Sequence, residues 1–204
     1  SRRREGWMLS YIDLMKHSLP INDDEKAGFL RDGYIRLDDV ISTEEIEWYR
    51  ARYDALFADE SEVKQLGGKD EQGRAALPQI LSPHQKIPEL LELPYLKRLE
   101  GIAKFILGPE AKFKTDHMIL KPAGHGAATP WHQDGPYYFV DGIQNVSFWS
   151  PVDPVKGNSL RCVAGSHAWE KPVLPTRWLS ETNFYADEDT YMPVPDPDAE
   201  GMDI

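Results

Sequence analysis

The strongest chemical signal in this chain is a pair of residues separated by one glutamine. His132 and Asp134 sit in Thr129-Pro130-Trp131-His132-Gln133-Asp134-Gly135-Pro136-Tyr137-Tyr138. In an extended backbone, residues two apart project to the same face, so an imidazole and a carboxylate are presented together to one metal ion. They supply two of the three ligands of a two-histidine, one-carboxylate facial site. Such a site leaves three positions open on Fe(II), enough for a bidentate cosubstrate and dioxygen, which is the coordination an oxygenase needs. The same triplet also fits a surface His/Asp pair linked by charge, and the spacing alone does not separate the two.

The elements that must hold this pair are predicted from pattern. Asn22 and Asp23 cap a helix over 24–31 that ends at Asp32-Gly33, and Tyr34-Ile35-Arg36-Leu37 then alternates like a strand. Ser42 followed by Glu45 is a capping box, and Ile46, Tyr49, Tyr53 and Leu56 recur at helical spacing, which predicts an amphipathic helix over 43–58. Gly67 to Gly73 reads as a mobile loop. A third helix starts near Pro94 and is stopped by Gly108-Pro109. Beyond it the period changes to two: Phe113 to Lys121, Ile143 to Trp149 and Leu160 to Val163 read as strands between Gly/Pro turns. The result is an α+β chain in which helices pack on an antiparallel sandwich or barrel, with no internal repeat.

Composition narrows the function classes. The 204 residues suit a single domain of 1–204, with 22–110 mainly helical support and 111–204 the first part of a β core. Hydrophobic residues at 41% are too many for a disordered chain. A net charge of −11 disfavours nucleic acid and anionic membranes as partners and leaves a small-molecule substrate as the expected one. Cys162 alone forms no internal disulfide, and no apolar run reaches the roughly 18 residues that span a bilayer. A soluble, reducing, cytoplasmic setting is expected, and Ser1-Arg2-Arg3-Arg4 reads as a solvated terminus without a secretory pattern. Both ends look cut: the chain opens without Met and stops at Gly201-Met202-Asp203-Ile204 after the Pro- and Asp-rich stretch Met192 to Asp198.

The order Lys121-Pro122, Thr129-Pro130-Trp131-His132-Gln133-Asp134, Tyr138, Gly142, Val146-Ser147-Phe148-Trp149, Pro151-Val152-Asp153, Gly157-Asn158-Ser159-Leu160 and Gly165-Ser166-His167 resembles the phytanoyl-CoA dioxygenase family. Phe29-Leu30-Arg31-Asp32-Gly33-Tyr34 and Ser42-Thr43-Glu44-Glu45-Ile46 are similar to the family's opening helices and strand, so the likeness runs over about 24–170. The resemblance implies a double-stranded β-helix, a jelly-roll or cupin-like barrel, with Fe(II) at its mouth and 2-oxoglutarate as cosubstrate. It makes His132 and Asp134 iron ligands that serve an oxygenase hydroxylating a small organic molecule. Gln133 points away and is structural.

For the cosubstrate pocket, the resemblance implies Trp149 as a flat wall, with a core Trp as the alternative. Thr129 is implied as a partner of a cosubstrate carboxylate or of the metal's surroundings, although Thr before Pro also suits a plain turn. His117 is implied to face 2-oxoglutarate, against a satisfied core histidine, and Gln79 is a candidate of the same kind. Tyr137 and Tyr138 line a substrate cavity or pack in the core. His167 shapes the barrel rim, His125 sits in a loop near the entrance, and His17 and His84 have no partner visible in sequence. The family's second iron-binding His and its cosubstrate Arg have no counterpart, since Arg177 lies too close to Gly165-Ser166-His167. The expectation is a truncated enzyme whose tail from Asp187 leads into missing strands. The alternatives are a non-catalytic jelly-roll binding or regulatory relative, and a cupin-like protein using another divalent metal.

Overall fold

The side chain of Asn22 accepts a hydrogen bond from Glu25 N at 2.9 Å while Glu25 Oε2 accepts from Asn22 N at 2.7 Å, and helix α1, Asp23–Asp32, starts on that box. It ends where Gly33 takes φ +84°, a left-handed conformation that an L side chain resists. Ser42 and Glu45 start α2, Thr43–Phe57, in the same way, and Pro94 opens α3, Pro94–Leu107, which Gly108 ends at φ +109°. The computed structural model describes residues 19–69, 72, 73, 75–124, 128–138, 144–157, 159–175 and 189–204. His17, His125, Gly142, Ile143, Asn158, Arg177, Asp187 and the Ser1–Arg4 terminus lie outside them.

The strands depart from the pattern reading. The stretch expected as a loop from Gly67 belongs in part to β1, Lys64–Lys69, which pairs antiparallel with β2, Ala75–Leu81. Glycine lowers intrinsic strand preference, but ladder pairing with β2 overrides it. The hairpin also falls within the stretch read as mainly helical. β3 covers only His117–Ile119 of the expected Phe113–Lys121, and the sheet order is β1-β2-β3. Among the described residues, Tyr34–Leu37, 144–149 and Leu160–Val163 form no strand. Alternation decides which side each residue faces, whereas a strand also needs a partner for its main-chain groups. The chain is thus a mixed helix-and-sheet structure, and no helix among the described residues is long and apolar enough to cross a membrane.

Register gives the sheet two distinct faces. Ile80 stands opposite Met118, and both point into a core with Leu90 and Leu93, covered by Trp48, Tyr49, Tyr53 and Leu56 of α2. A second cluster, Ile21, Ile102 and Ile106, packs with Phe29, Leu37, Val40 and Phe148. The other face of the sheet carries Gln79 opposite Ile119 and Leu81 opposite His117. There Gln79 is buried, while Leu81 and Ile119 are 45% and 41% exposed.

The outer edge of β3 is closed by a side chain. Tyr53 Oη accepts from Ile119 N at 2.9 Å and donates to Ile119 O at 3.1 Å. Burial pushes its pKa up to about 12. Between pH 10 and 12 the unfolded chain releases this proton while the folded chain keeps it, so the unfolded state binds fewer protons and stability falls as pH rises. The expected slope from this group is up to about 1.4 kcal/mol per pH unit. Urea midpoints measured across that window should fall, and Tyr53→Phe should flatten the fall while lowering stability at neutral pH. An equal slope in the variant would remove Tyr53 as its source.

Candidate metal centre

The two residues meet, though by another route than an extended pleat. Asp134 is the first residue of the short helix α4, Asp134–Tyr138, so the chain bends between the pair. His132 Nε2 stands 3.3 Å from Asp134 Oδ1. His132 Nδ1 is 2.8 Å from the Pro130 carbonyl, which can only accept, so Nδ1 carries the proton and Nε2 faces the carboxylate. Ser147 Oγ donates to Asp134 Oδ2 at 2.5 Å, leaving Oδ1 for the imidazole side. Tyr137 sets its ring edge-on to the imidazole, centroids 5.7 Å apart.

This donor set passes a simple test of fit to a divalent cation. Adjacent ligands of an octahedral ion, each about 2.1 Å from it, stand about 3.0 Å apart, and 3.3 Å is within a few tenths of that. A ligating His normally gives its other ring N–H to a carbonyl or carboxylate, as His132 does. Burial lowers the His132 pKa, but the hydrogen bonds to Asp134 and Pro130 and the Asp134 charge outweigh it, and the ring ends above its ordinary value. Asp134 lies below its own, led by the hydrogen bond to His132 against burial, with Ser147 adding to the effect. The pair is an imidazole and a carboxylate arranged to share one positive charge. Among the described residues no cluster of three His, Cys, Asp or Glu completes it.

Other candidates divide by position. His117 and Gln79 share the sheet face turned from the helices. Burial holds His117 below its ordinary pKa against the opposing pull of Asp116 and Asp134. Thr129 is half-buried just before Pro130. Trp149 is 50% exposed. The side chain of Tyr138 lies outside the described residues.

Several functional contacts were not evident from sequence. Ser147, the carboxylate's hydrogen-bond donor, was noted only as part of a motif; the signal was its i,i+2 spacing to Trp149, on the side opposite Phe148, which packs in the core. The Gln133 amide holds Ser166 O and Val173 N, each at 2.8 Å. His84, which showed no partner in sequence, pairs through Nδ1 with Asp116 Oδ1. His167 Nε2 bonds Leu30 O at 3.1 Å.

Comparison with known proteins places these residues in a family. An ectoine dioxygenase of Sphingopyxis alaskensis is 28% identical over 177 residues, 81% of this chain and 58% of that protein. An L-proline trans-4-hydroxylase of Streptomyces griseoviridis is 28% identical over 111 residues, 54% of this chain and 40% of that protein. The crystal structure of EvdO2 from Micromonospora carbonacea var. aurantiaca matches with TM-score 0.48 at 37% identity, covering 57% of this chain and 50% of that one. The same protein complexed with 2-oxoglutarate matches with TM-score 0.46 at 33% identity. The chain spans at most 58% of the length of these curated relatives. The family model for phytanoyl-CoA dioxygenase matches residues 29–201, a stretch that holds both His132 and Asp134. On that match the chain belongs to the phytanoyl-CoA dioxygenase family, which depends on Fe(II) and 2-oxoglutarate.

Proposed function

We propose that this chain is part of an Fe(II)- and 2-oxoglutarate-dependent oxygenase that hydroxylates a small organic molecule, with His132 and Asp134 as metal ligands. The observation that carries the reading is the 3.3 Å approach of Nε2 to Oδ1, with the far atom of each group already held by Pro130 O and Ser147 Oγ. When bound, Fe(II) with 2-oxoglutarate and dioxygen supplies the oxidising power, and the protein's part is to bind, orient and exclude water. Pro130 O keeps Nδ1 protonated, so that Nε2 presents its lone pair on the side where Asp134 Oδ1 stands. Ser147 holds the carboxylate so that one oxygen faces the same point.

The cosubstrate is assigned to the sheet face of Gln79 and His117, with Thr129 and Trp149 beside it. Support comes from the shared face of the first two and from the influence of Asp134 on His117. The third ligand and a guanidinium for the far carboxylate are expected from the part of the relatives' length that this chain does not span. A face with Leu81 and Ile119 half open suits the inside of a double-stranded β-helix, of which 1–204 would be one domain: 22–110 as support and 111–204 as the first barrel strands. The free Cys162 supports a reducing, cytoplasmic setting.

Ectoine and L-proline, after the relatives' names, are the first substrates to offer. The test uses the full-length protein with Fe(II), 2-oxoglutarate and a panel of small metabolites. Succinate release that rises with one panel member, with that member gaining one oxygen atom, supports the reading. A protein that binds Fe(II) neither alone nor with 2-oxoglutarate, and releases no succinate, would instead be a non-catalytic binding relative.

A further inference from the structure

Gln133 stands between the two metal-pair residues, and neither end of its amide is idle. Nε2 donates to Ser166 O at 2.8 Å, and Oε1 accepts from Val173 N at 2.8 Å. A carbonyl can only accept and an amide N–H only donate, so the orientation of the carboxamide is settled by its partners. Val173 is 4% exposed, which makes this a part-buried, two-point clamp rather than a surface contact.

The segment it grips is itself fixed to the start of the fold. Gly165 N donates to Asp32 O at 2.8 Å and His167 Nε2 bonds Leu30 O at 3.1 Å, both carbonyls of the last turn of α1. The His167 ring lies where a Cβ on Gly33 would stand, so the glycine is required for space as well as for its φ of +84°. A continuous set of contacts therefore runs from the end of α1, through the turn at Ser166–Ala168, to the residue between His132 and Asp134.

We propose that Gln133 is a positioning residue of the metal centre: its two hydrogen bonds fix the backbone step between His132 and Asp134, so the geometry of the pair depends on segment 165–173 being docked on the end of α1. This rests on the reading of His132 and Asp134 as metal ligands. The clamp holds the Gln133 Cα in place, and the two peptide units that leave this Cα lead directly to the Cα atoms that carry the imidazole and the carboxylate. Outer contacts that orient metal ligands typically change metal affinity 10–100-fold when lost.

The experiment is Co(II) titration of the metal-depleted full-length protein without 2-oxoglutarate, read by the visible spectrum of bound Co(II) and by its Kd. Q133M keeps length and volume without polar atoms, and Q133E keeps the acceptor while setting an oxygen against Ser166 O. Both should weaken Co(II) by about tenfold or more and alter the spectrum. G33A, which touches neither clamp nor ligands, should alter it in the same direction, and Q133M/G33A should bind no worse than Q133M. Ile102→Val, a mild core truncation, should leave Kd and spectrum as they are; a shift equal to that of Q133M would mean that general destabilisation explains the effect. If Q133M does not fold, Q133E decides. Wild-type Kd and spectrum in the folded Gln133 variants would overturn the proposal while leaving the metal pair standing. Co(II) binding unaffected by His132→Ala would overturn the metal pair and the clamp's role with it.

Discussion

Asp134→Ala is expected to weaken Mn(II) or Co(II) binding by more than about 100-fold, above the 10–100-fold typical of outer contacts, and to end turnover. His132→Ala should do the same, and the double variant should be no worse than either, because one missing ligand already leaves the ion without its adjacent pair of donors. The metal-free protein tells a different story. The side chains of His132 and Asp134 are 23% and 37% exposed, and a pair partly screened by solvent contributes only about 0–1 kcal/mol. Its loss should move the unfolding midpoint little. Metal affinity from titration and apo stability from urea melts thus separate a ligand from a structural residue. An Asp134→Ala protein that binds Mn(II) as tightly as wild type would sink the site, and a large loss of apo stability would show the pair to be structural.

The helices were legible because their signals are local. Ser42 and Glu45 are three residues apart, so their box can be recognised without knowing the fold, and Asn22 marks the start of α1 as a cap residue in the same local way. The sheet was not legible, because Lys64–Lys69 becomes a strand only through its pairing with β2, and sequence carries no direct mark of that partner. The His132–Asp134 pair falls between these cases. Residue types and closeness were readable, yet the geometry that joins them comes from a helix starting at Asp134, not from a strand. Contacts such as His84 with Asp116, 32 residues away, and Gln133 with Val173, 40 away, depend on tertiary folding that no short pattern encodes.

Glu45 shows how a local signal can understate a residue, and its removal should give the largest loss of stability. It was read as half of a capping box, and its Oε2 does accept from Ser42 N at 2.9 Å. It is also 3% exposed, and its Oε1 accepts from Tyr95 N at 2.6 Å. The start of α3 has an apolar cap residue, Leu93, with no side-chain hydrogen bond, so Glu45 of α2 serves as its cap from another helix. Arg98 completes the group: Nη2 pairs with Glu45, and Nε donates to Val40 O at 2.6 Å. Glu45→Ala leaves two amides unpaired and the Arg98 charge, only 18% exposed, without its partner. Breaking a buried pair on one side typically costs about 3–5 kcal/mol, which for a chain of this size is a fall of roughly 10 °C in Tm. Glu45→Gln should cost less, since an amide oxygen still accepts one N–H. Glu45→Gln with Arg98→Met should recover part of the loss, because the unpaired charge goes with the arginine. Urea and thermal melts at pH 7 measure all three, and a Glu45→Ala loss below about 1 kcal/mol would place the pair among the weak, solvent-screened ones. The effect should also reach the metal centre. Tyr95 Oη donates to Ser150, three residues beyond the Ser147 that holds Asp134, so loosening the start of α3 releases the segment on which that donor sits.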